Sequence, residues 1–235
     1  MTMPNRFDQA NALIKDAKGR LIALRADYEE SLHDKQVRVE LQISIKGVLD
    51  GLRSALDYVA HELHERFGPQ SQGTRVYFPI AAKGARQEDF RSLVGKNIPG
   101  LPDRRPDLVD LLESFQSFSS PENQWLPELA SLANENKHAN LTAQTRTEDE
   151  RITVRSREGA ISWNPSMVKF SPGISILGAP IDPRTLLPVA GPSNSVTREL
   201  WVDFKFASIG QAVLPFLDRC VTGTDRIVQE VKACV

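Results

Sequence analysis

The sequence predicts an α+β protein: a mainly α-helical bundle, made of a long antiparallel helical hairpin plus further helices, with an antiparallel β-meander inserted before the C-terminal helix. Three observations predict this class. Apolar residues recur at three- and four-residue spacing through two long N-terminal stretches, as in amphipathic helices. Between residues 142 and 207 the spacing changes to two, as in strands. Helical spacing then returns over residues 208–235.

Length and charge are those of an ordinary globular protein. We expect a single domain over residues 1–235, divided into a helical part at 1–141, the β-meander at 142–207 and, at 208–235, a C-terminal helix that returns to the bundle. A formal net charge of −1 gives no general attraction to nucleic acid or to an anionic membrane. No targeting segment is visible, and no run approaches the roughly 18 apolar residues that cross a bilayer. We therefore expect a cytoplasmic protein without membrane partners.

The N-terminal half of the pattern predicts a helical hairpin. The first helix should span about residues 4–31; Gly19 weakens it by about 1 kcal/mol, which its length absorbs. We expect a break at residues 33–35, and a second helix should run over about residues 36–67 and end at Gly68-Pro69. Two long helices with a short joint pack antiparallel.

The chain between the hairpin and the strands is more broken. Residues 75–80 are expected to be extended, but Pro79 is unfavourable at the centre of a sheet. We expect a short helix over residues 87–94 and a turn-rich loop over residues 97–102. Helical spacing returns at residues 106–118. A further helix should then begin at Ser120 and Pro121, with the serine as N-cap and the proline in the first turn.

Period-two spacing predicts four or five strands. Ile152 and Val154 lie before a turn at Glu158-Gly159, and Ile161 and Trp163 follow it. Val168 with Phe170, and Ile174 with Ile176, predict two more short strands, and residues 200–206 predict the best one. The last helix should cover residues 208–234, with Pro215 at a kink or near its start and a weak point at residues 222–224.

A row of ionisable side chains borders the apolar stripe of the second helix. This Arg53 row consists of Arg53, Asp57, His61 and His64, at i, i+4, i+8 and i+11. In a functional site Asp57 would orient and charge His61, while Arg53 would bind an anion such as a phosphate. In a purely structural arrangement the same residues form i, i+4 pairs beside a helix interface, and this is the interpretation that the row alone favours.

A second polar cluster lies at the end of the predicted fourth long helix. The Asn134–His138 cluster contains Asn134, Asn136, Lys137 and His138. It is explained either by the helix C-terminus, where cations and asparagine caps are favoured, or by a polar pocket that this end closes against the Arg53 row. By helical angle Asn136 and the following Asn140 point with the apolar face, and two buried amides need hydrogen-bond partners.

Several familiar signals are absent. His61 and His64 are three residues apart, whereas the zincin motif needs two histidines four apart, so we expect no metal site. The chain has no Gly-rich phosphate loop and no Gly-x-Ser-x-Gly nucleophile elbow, and we expect no cofactor. Cys220 and Cys234 would lie much farther apart on one helix than a disulfide's reach of about 7 Å, so we expect free thiols.

Three short motifs of the helical half resemble those of a family of uncharacterised bacterial proteins. They are Leu52-Arg-Ser-Ala-Leu-Asp57, Tyr77-Phe-Pro-Ile80 and, after Leu129, Asn134-x-x-Lys-His138. The resemblance covers about residues 45–141. It implies no particular chemistry, but it does imply that the three motifs belong to one site or to one packed junction.

More loosely, the helical half is similar to HEPN-type domains, which are helical bundles of prokaryotic defence and toxin systems. Many of these are metal-independent ribonucleases whose arginine and histidine lie on one helix with four to six residues between them. Here seven residues separate Arg53 from His61, and the helix that carries His138 has no arginine before it. The nuclease motif is thus not matched, and catalytically silent relatives that act as binding modules fit the resemblance as well.

The leading hypothesis is a non-enzymatic binding or interaction protein, oligomeric, with a polar site near Arg53, Asp57 and His138 for an unidentified ligand or protein partner. The alternative is a HEPN-like, metal-independent ribonuclease, with His61 or His138 as general acid or base and Arg53 stabilising the phosphorane. RNA is a partner only under this alternative. Both hypotheses require the Arg53 row to meet the Asn134–His138 cluster.

Overall fold

The computed structural model describes residues 5–31, 38–69, 75–138, 141, 144–171 and 173–235. Within these ranges the description excludes the side chains of residues 29–31, 137–138, 146–149 and 199–203. The predicted helix start at Pro4 and the predicted joint at residues 33–35 therefore lie outside the described residues.

The order of elements confirms the predicted α+β class. The helices are α1 (Arg6–Ser31), α2 (Val39–Phe67), α3 (Gln87–Asn97), α4 (Leu101–Arg104), α5 (Pro106–Ser114), α6 (Trp125–His138) and α7 (Val213–Ala233), with a 3₁₀ turn at Pro121–Gln124. The strands are β1 (Gln144–Ser156), β2 (Gly159–Trp163), β3 (Ser175–Ile176), β4 (Ala179–Pro180) and β5 (Asn194–Phe206).

Helices α1 and α2 form a long antiparallel pair. The first residue of α1 meets the last turns of α2: the Arg6 N–H donates to Glu62 Oε2 at 3.1 Å, and its guanidinium pairs with Glu65. A carboxylate is favoured there because the N-terminus of a helix carries partial positive charge. The pair buries the predicted apolar spacing, namely Phe7, Ala10, Ile14, Ala17, Leu21, Leu24 and Tyr28 of α1 against Leu49, Leu52, Leu56, Val59 and Leu63 of α2.

The end of α2 depends on a glycine for reasons of space. Gly68 donates its N–H to the His64 carbonyl at 2.7 Å. A Cβ at this position would lie 2.1 Å from Nδ1 of His64. Any other residue would therefore have to displace the imidazole.

The predicted helix at residues 106–118 ends earlier, at Ser114, because the Gln116 side chain turns inward. Its Nε2 donates to the Leu112 carbonyl at 2.9 Å, and the residue is fully buried. Ser120 then caps the next turn as predicted, its hydroxyl accepting from the Glu122 N–H at 3.3 Å.

The strands form two small sheets. β1 lies between β2 and β5 in a three-stranded sheet, and β3 pairs with β4. β1 and β2 are antiparallel across the predicted turn, with Ile152 opposite Trp163 and Val154 opposite Ile161. Because β5 lies beside β1 rather than beside β4, the meander is interrupted after β2.

The predicted strand at Val168 and Phe170 is wrong, since the described residues 164–171 form no strand. Phe170 instead packs edge-on against Trp163, with ring centroids 5.0 Å apart. Its apolar spacing therefore reflects packing onto a small separate core, formed by Ile152, Val154, Trp163, Ile176, Ala179 and Ile181.

The chain forms two compact units, Met1–Thr145 with Lys205–Val235, and Arg146–Phe204. In the first unit α7 returns to pack against α1, α2 and α6. The single domain with boundaries after residues 141 and 207 stays a prediction. Of the described helices, none combines the length and the apolar character needed to span a bilayer.

Helix α7 begins at Val213, five residues after the predicted start. Residues before it form a turn in which the Phe206 N–H donates to the Gln211 carbonyl at 2.9 Å, and Gly210 adopts a φ of +67°. Pro215 consequently lies in the first helical turn, where it removes no helical hydrogen bond. The predicted weak point at residues 222–224 is continuous helix, and Gly223 there packs directly on Trp125.

Replacing Gly223 with alanine is expected to destabilise the protein. The added Cβ would lie 2.2 Å from the Trp125 ring, which is rigid and buried. We expect Gly223→Ala to lower the free energy of unfolding by about 1–3 kcal/mol in chemical denaturation, as overpacking does.

Gly19→Ala is the matched control, because a Cβ there meets nothing within 4 Å. In a helix interior it should raise the free energy of unfolding by about 0.5–1 kcal/mol. Stabilisation of the same size in both variants would contradict the packing of Gly223 on Trp125.

Candidate functional site

Arg53 and Asp57 form a partly buried ion pair on α2. Nη2 of Arg53 lies 3.0 Å from Oδ1 of Asp57, and the two side chains are 14% and 20% exposed. Burial lowers the pKa of the Arg53 guanidinium, and the charge of Asp57 opposes that shift. An arginine guanidinium stays protonated in proteins, so the pair is ionic.

The pair binds the backbone of one residue in the extended segment 75–82. Oδ1 of Asp57 accepts from the Phe78 N–H at 2.9 Å, and Nη2 of Arg53 donates to the Phe78 carbonyl at 3.3 Å. We call this arrangement the Phe78 clamp, comprising Arg53, Asp57 and the Phe78 backbone. Two of the three motifs quoted above, at residues 52–57 and 77–80, therefore meet in one junction.

Gln116 completes the attachment of the segment. Its Oε1 accepts from the Ala81 N–H at 2.9 Å, and its Nε2 lies 3.4 Å from the Pro79 carbonyl. Buried backbone groups outside regular structure need such partners, since an unpaired one loses about the energy of a hydrogen bond. Side chains of α2 and of the turn after α5 thus take the place of a strand partner, since no described strand pairs with this segment.

His61 lies one turn beyond Asp57 but makes no hydrogen bond or ion pair with another described residue. Burial lowers its pKa, the charge of Arg6 lowers it further, and the charges of Asp57 and Glu65 oppose the shift. Oδ1 of Asp57 is bound by Arg53 and Phe78. The proposed orientation of His61 by Asp57 therefore stays a prediction.

Glu62 is a buried acid that the sequence reasoning missed. It is 7% exposed and accepts from the Arg66 guanidinium at 2.8 Å as well as from the Arg6 N–H. It therefore joins the start of α1 to the last turns of α2, at one end of the helical pair. The i, i+4 spacing of Glu62 and Arg66 was the available signal.

The Asn134–His138 cluster meets α2 about two turns before the Phe78 clamp. Nζ of Lys46 lies 3.4 Å from the Asn136 carbonyl and 2.6 Å from Oδ2 of Asp50. Lys46 and Asp50 continue the three- and four-residue spacing of the Arg53 row toward its N-terminus, a signal that the sequence reasoning did not use. The side chains of Lys137 and His138 lie outside the described ones.

A pocket of about 580 Å³ adjoins the end of the clamped segment. All of its lining residues belong to the larger compact unit. They come from three places: Ile80, Ala81, Ala82 and Lys83 from the segment; Gln124, Pro127, Glu128, Ala130, Ser131 and Asn134 at α6; and Ser208 and Ile209 before α7. Asn134 is thus the member of the predicted site that reaches the pocket.

Comparison of the chain with protein-family models, with curated proteins and with solved structures gave no match. The resemblances to a bacterial family and to HEPN-type domains therefore stay predictions. Among the described residues, no group of three or more His, Cys, Asp or Glu side chains is placed to hold a metal ion.

Removing the Asp57 carboxylate should release the segment. Asp57→Ala leaves the Phe78 N–H unpaired and the Arg53 charge without its partner, so we expect the free energy of unfolding to fall by about 2–4 kcal/mol. Hydrogen exchange at the Phe78 amide should accelerate more than exchange within α1.

Asp16→Ala is the control, because Asp16 forms an i, i+4 pair with Arg20 at 2.6 Å in which both side chains are more than half exposed. It should lower the free energy of unfolding by less than about 0.5 kcal/mol. Equal small losses in both variants, with unchanged exchange at Phe78, would show that the clamp does not hold the segment.

The lowered pKa of His61 predicts a pH dependence of stability. The unfolded chain binds the proton more readily than the folded one, so stability is complete above about pH 6.5, the usual histidine pKa. Stability then declines as the pH falls through the folded pKa. His61→Gln should flatten this decline in unfolding measurements made on both sides of about pH 6.5, and an unchanged slope would contradict the assignment to His61.

Proposed function

We propose that the protein is a non-enzymatic binding protein whose ligand occupies the pocket beside residues 80–83. The observation that carries the proposal is the attachment of this wall: the backbone at Phe78, Pro79 and Ala81 is held by Arg53, Asp57 and Gln116. Binding sites gain affinity when their walls are fixed before the ligand arrives. In this proposal Arg53 and Asp57 position the site rather than touch the ligand.

The chemistry of the pocket also supports binding. Its size lies within the range of about 300–1,000 Å³ typical of small-molecule sites. It combines apolar side chains with four polar ones that make no hydrogen bond or ion pair with another described residue: Lys83, Gln124, Ser131 and Asn134. Such side chains are available to a ligand without first losing a partner.

The use of the Arg53 row favours binding over catalysis. A ribonuclease would need the Arg53 guanidinium to reach the phosphorane, but the Arg53 side chain is only 14% exposed and its Nη2 contacts Asp57 and the Phe78 carbonyl. His61 has no described partner that would orient it for proton transfer. A cytoplasmic location and a homo-oligomeric state remain predictions from the sequence.

A pocket-filling variant tests the proposal. Ligand-observed NMR with a panel of soluble metabolites should identify at least one binder, and the binder should raise Tm by mass action. Ala130→Phe places a phenyl ring at the pocket wall and should abolish that binding. Ala23→Phe, which adds the same group on the exposed face of α1, should leave it unchanged.

Three outcomes would contradict the proposal. The first is a panel without any binder, and the second is binding that survives Ala130→Phe. The third is RNA cleavage by the purified protein in the presence of EDTA that is lost in His61→Ala or His138→Ala, which would support the ribonuclease instead.

A further inference from the structure

Two opposite charges line the pocket without neutralising each other. Lys83 and Glu128 are both lining residues, and they form no ion pair with each other or with another described residue. Lys83 follows the clamped segment, and Glu128 lies in the first turns of α6. They are the only two charged side chains among the residues described as lining this pocket, so its charged groups sum to zero.

The Glu128 carboxylate is held in position. Nε2 of Gln211 donates to its Oε2 at 2.6 Å, and the Gln211 side chain itself accepts from the Arg219 guanidinium. Oε1 has no hydrogen bond to another described residue. Glu128 is half-buried, where an ionic hydrogen bond is stronger than in water. A fixed carboxylate with one free oxygen suits an ammonium group.

The pocket also offers hydrogen-bond donors, one from the residue that follows the clamped segment and two from α6. The Lys83 ammonium, the Ser131 hydroxyl and the Asn134 amide all line it, and none is bound to another described residue. Such groups suit a carboxylate, since hydrogen bonds that involve an ionised partner are about twice as strong as neutral ones. Ile80, Pro127, Ala130 and Ile209 supply apolar contacts for the rest of a molecule.

We propose that the ligand of this pocket is a zwitterion of the amino-acid class, with its ammonium group on Glu128 and its carboxylate on Lys83. This inference rests on the proposed function and specifies its ligand. A molecule with only one of the two charges would leave the other pocket charge unpaired, so both charges are needed for tight binding.

Four matched probes test the charge requirement. Leucine carries both charges, N-acetyl-leucine only the carboxylate, leucinamide only the ammonium and N-acetyl-leucinamide neither. Calorimetry should show leucine binding about ten- to a hundredfold more tightly than each singly charged form, the range expected for the loss of one hydrogen bond to a charged group. Ligand-observed NMR with a mixture of the twenty amino acids would detect binding if the pocket prefers a side chain other than that of leucine.

Two variants assign the charges to residues. Glu128→Gln keeps an acceptor for Gln211 but removes the negative charge, and it should abolish the preference for leucine over N-acetyl-leucine. Lys83→Gln should abolish the preference for leucine over leucinamide. Glu88→Gln and Lys15→Gln remove the same charges from exposed positions outside the pocket and should leave both preferences intact.

The outcomes separate the two proposals. The zwitterion assignment is overturned if no amino acid binds. It is also overturned if neither leucine nor any other amino acid binds more tightly than its own capped forms. Should another metabolite then bind in a manner sensitive to Ala130→Phe, the binding function stands with a different ligand. Should nothing bind, the binding function fails as well.

Discussion

The Phe78 clamp is the interaction on which the candidate site depends. A chain segment that crosses a helical bundle without a strand partner buries N–H and carbonyl groups that water can no longer reach. Asp57 accepts from the N–H and Arg53 donates to the carbonyl of the same residue. The two charged side chains that bind these backbone groups also form an ion pair with each other. One pair of side chains thus fixes both the electrostatics of α2 and the position of the pocket wall.

The polar stripe of α2 shows how a half-buried helix face can carry charge. Lys46, Asp50, Arg53 and Asp57 alternate in sign at three- and four-residue spacing, and each charge lies beside an opposite one. Two neighbouring elements use the stripe, since the end of α6 meets Lys46 and the extended segment meets Arg53. The stripe is therefore an interface, which explains why its residues are neither fully buried nor fully exposed.

The sequence was informative wherever periodicity alone decides the structure. The faces of α1 and α2, the Ser120 cap and the β1–β2 pairing follow from spacing and turn residues. Spacing could not identify the residue that Arg53 and Asp57 bind. They bind backbone atoms of Phe78, and every residue carries a backbone carbonyl, so the side-chain pattern gives no signal for this contact. Gln116 was missed for a related reason: its burial depends on where the distant residues 79 and 81 lie. Likewise, Lys83 and Glu128 come together only through the tertiary fold.

The wall of the pocket has consequences for the order in which the molecule assembles. Its described hydrogen bonds to side chains join residues 21 to 37 positions apart, and none of them is local. Closing such loops consumes chain entropy before any contact compensates for it. The isolated segment lacks these partners, so we expect the pocket wall to become ordered only once α2 and the residues after α5 are in place.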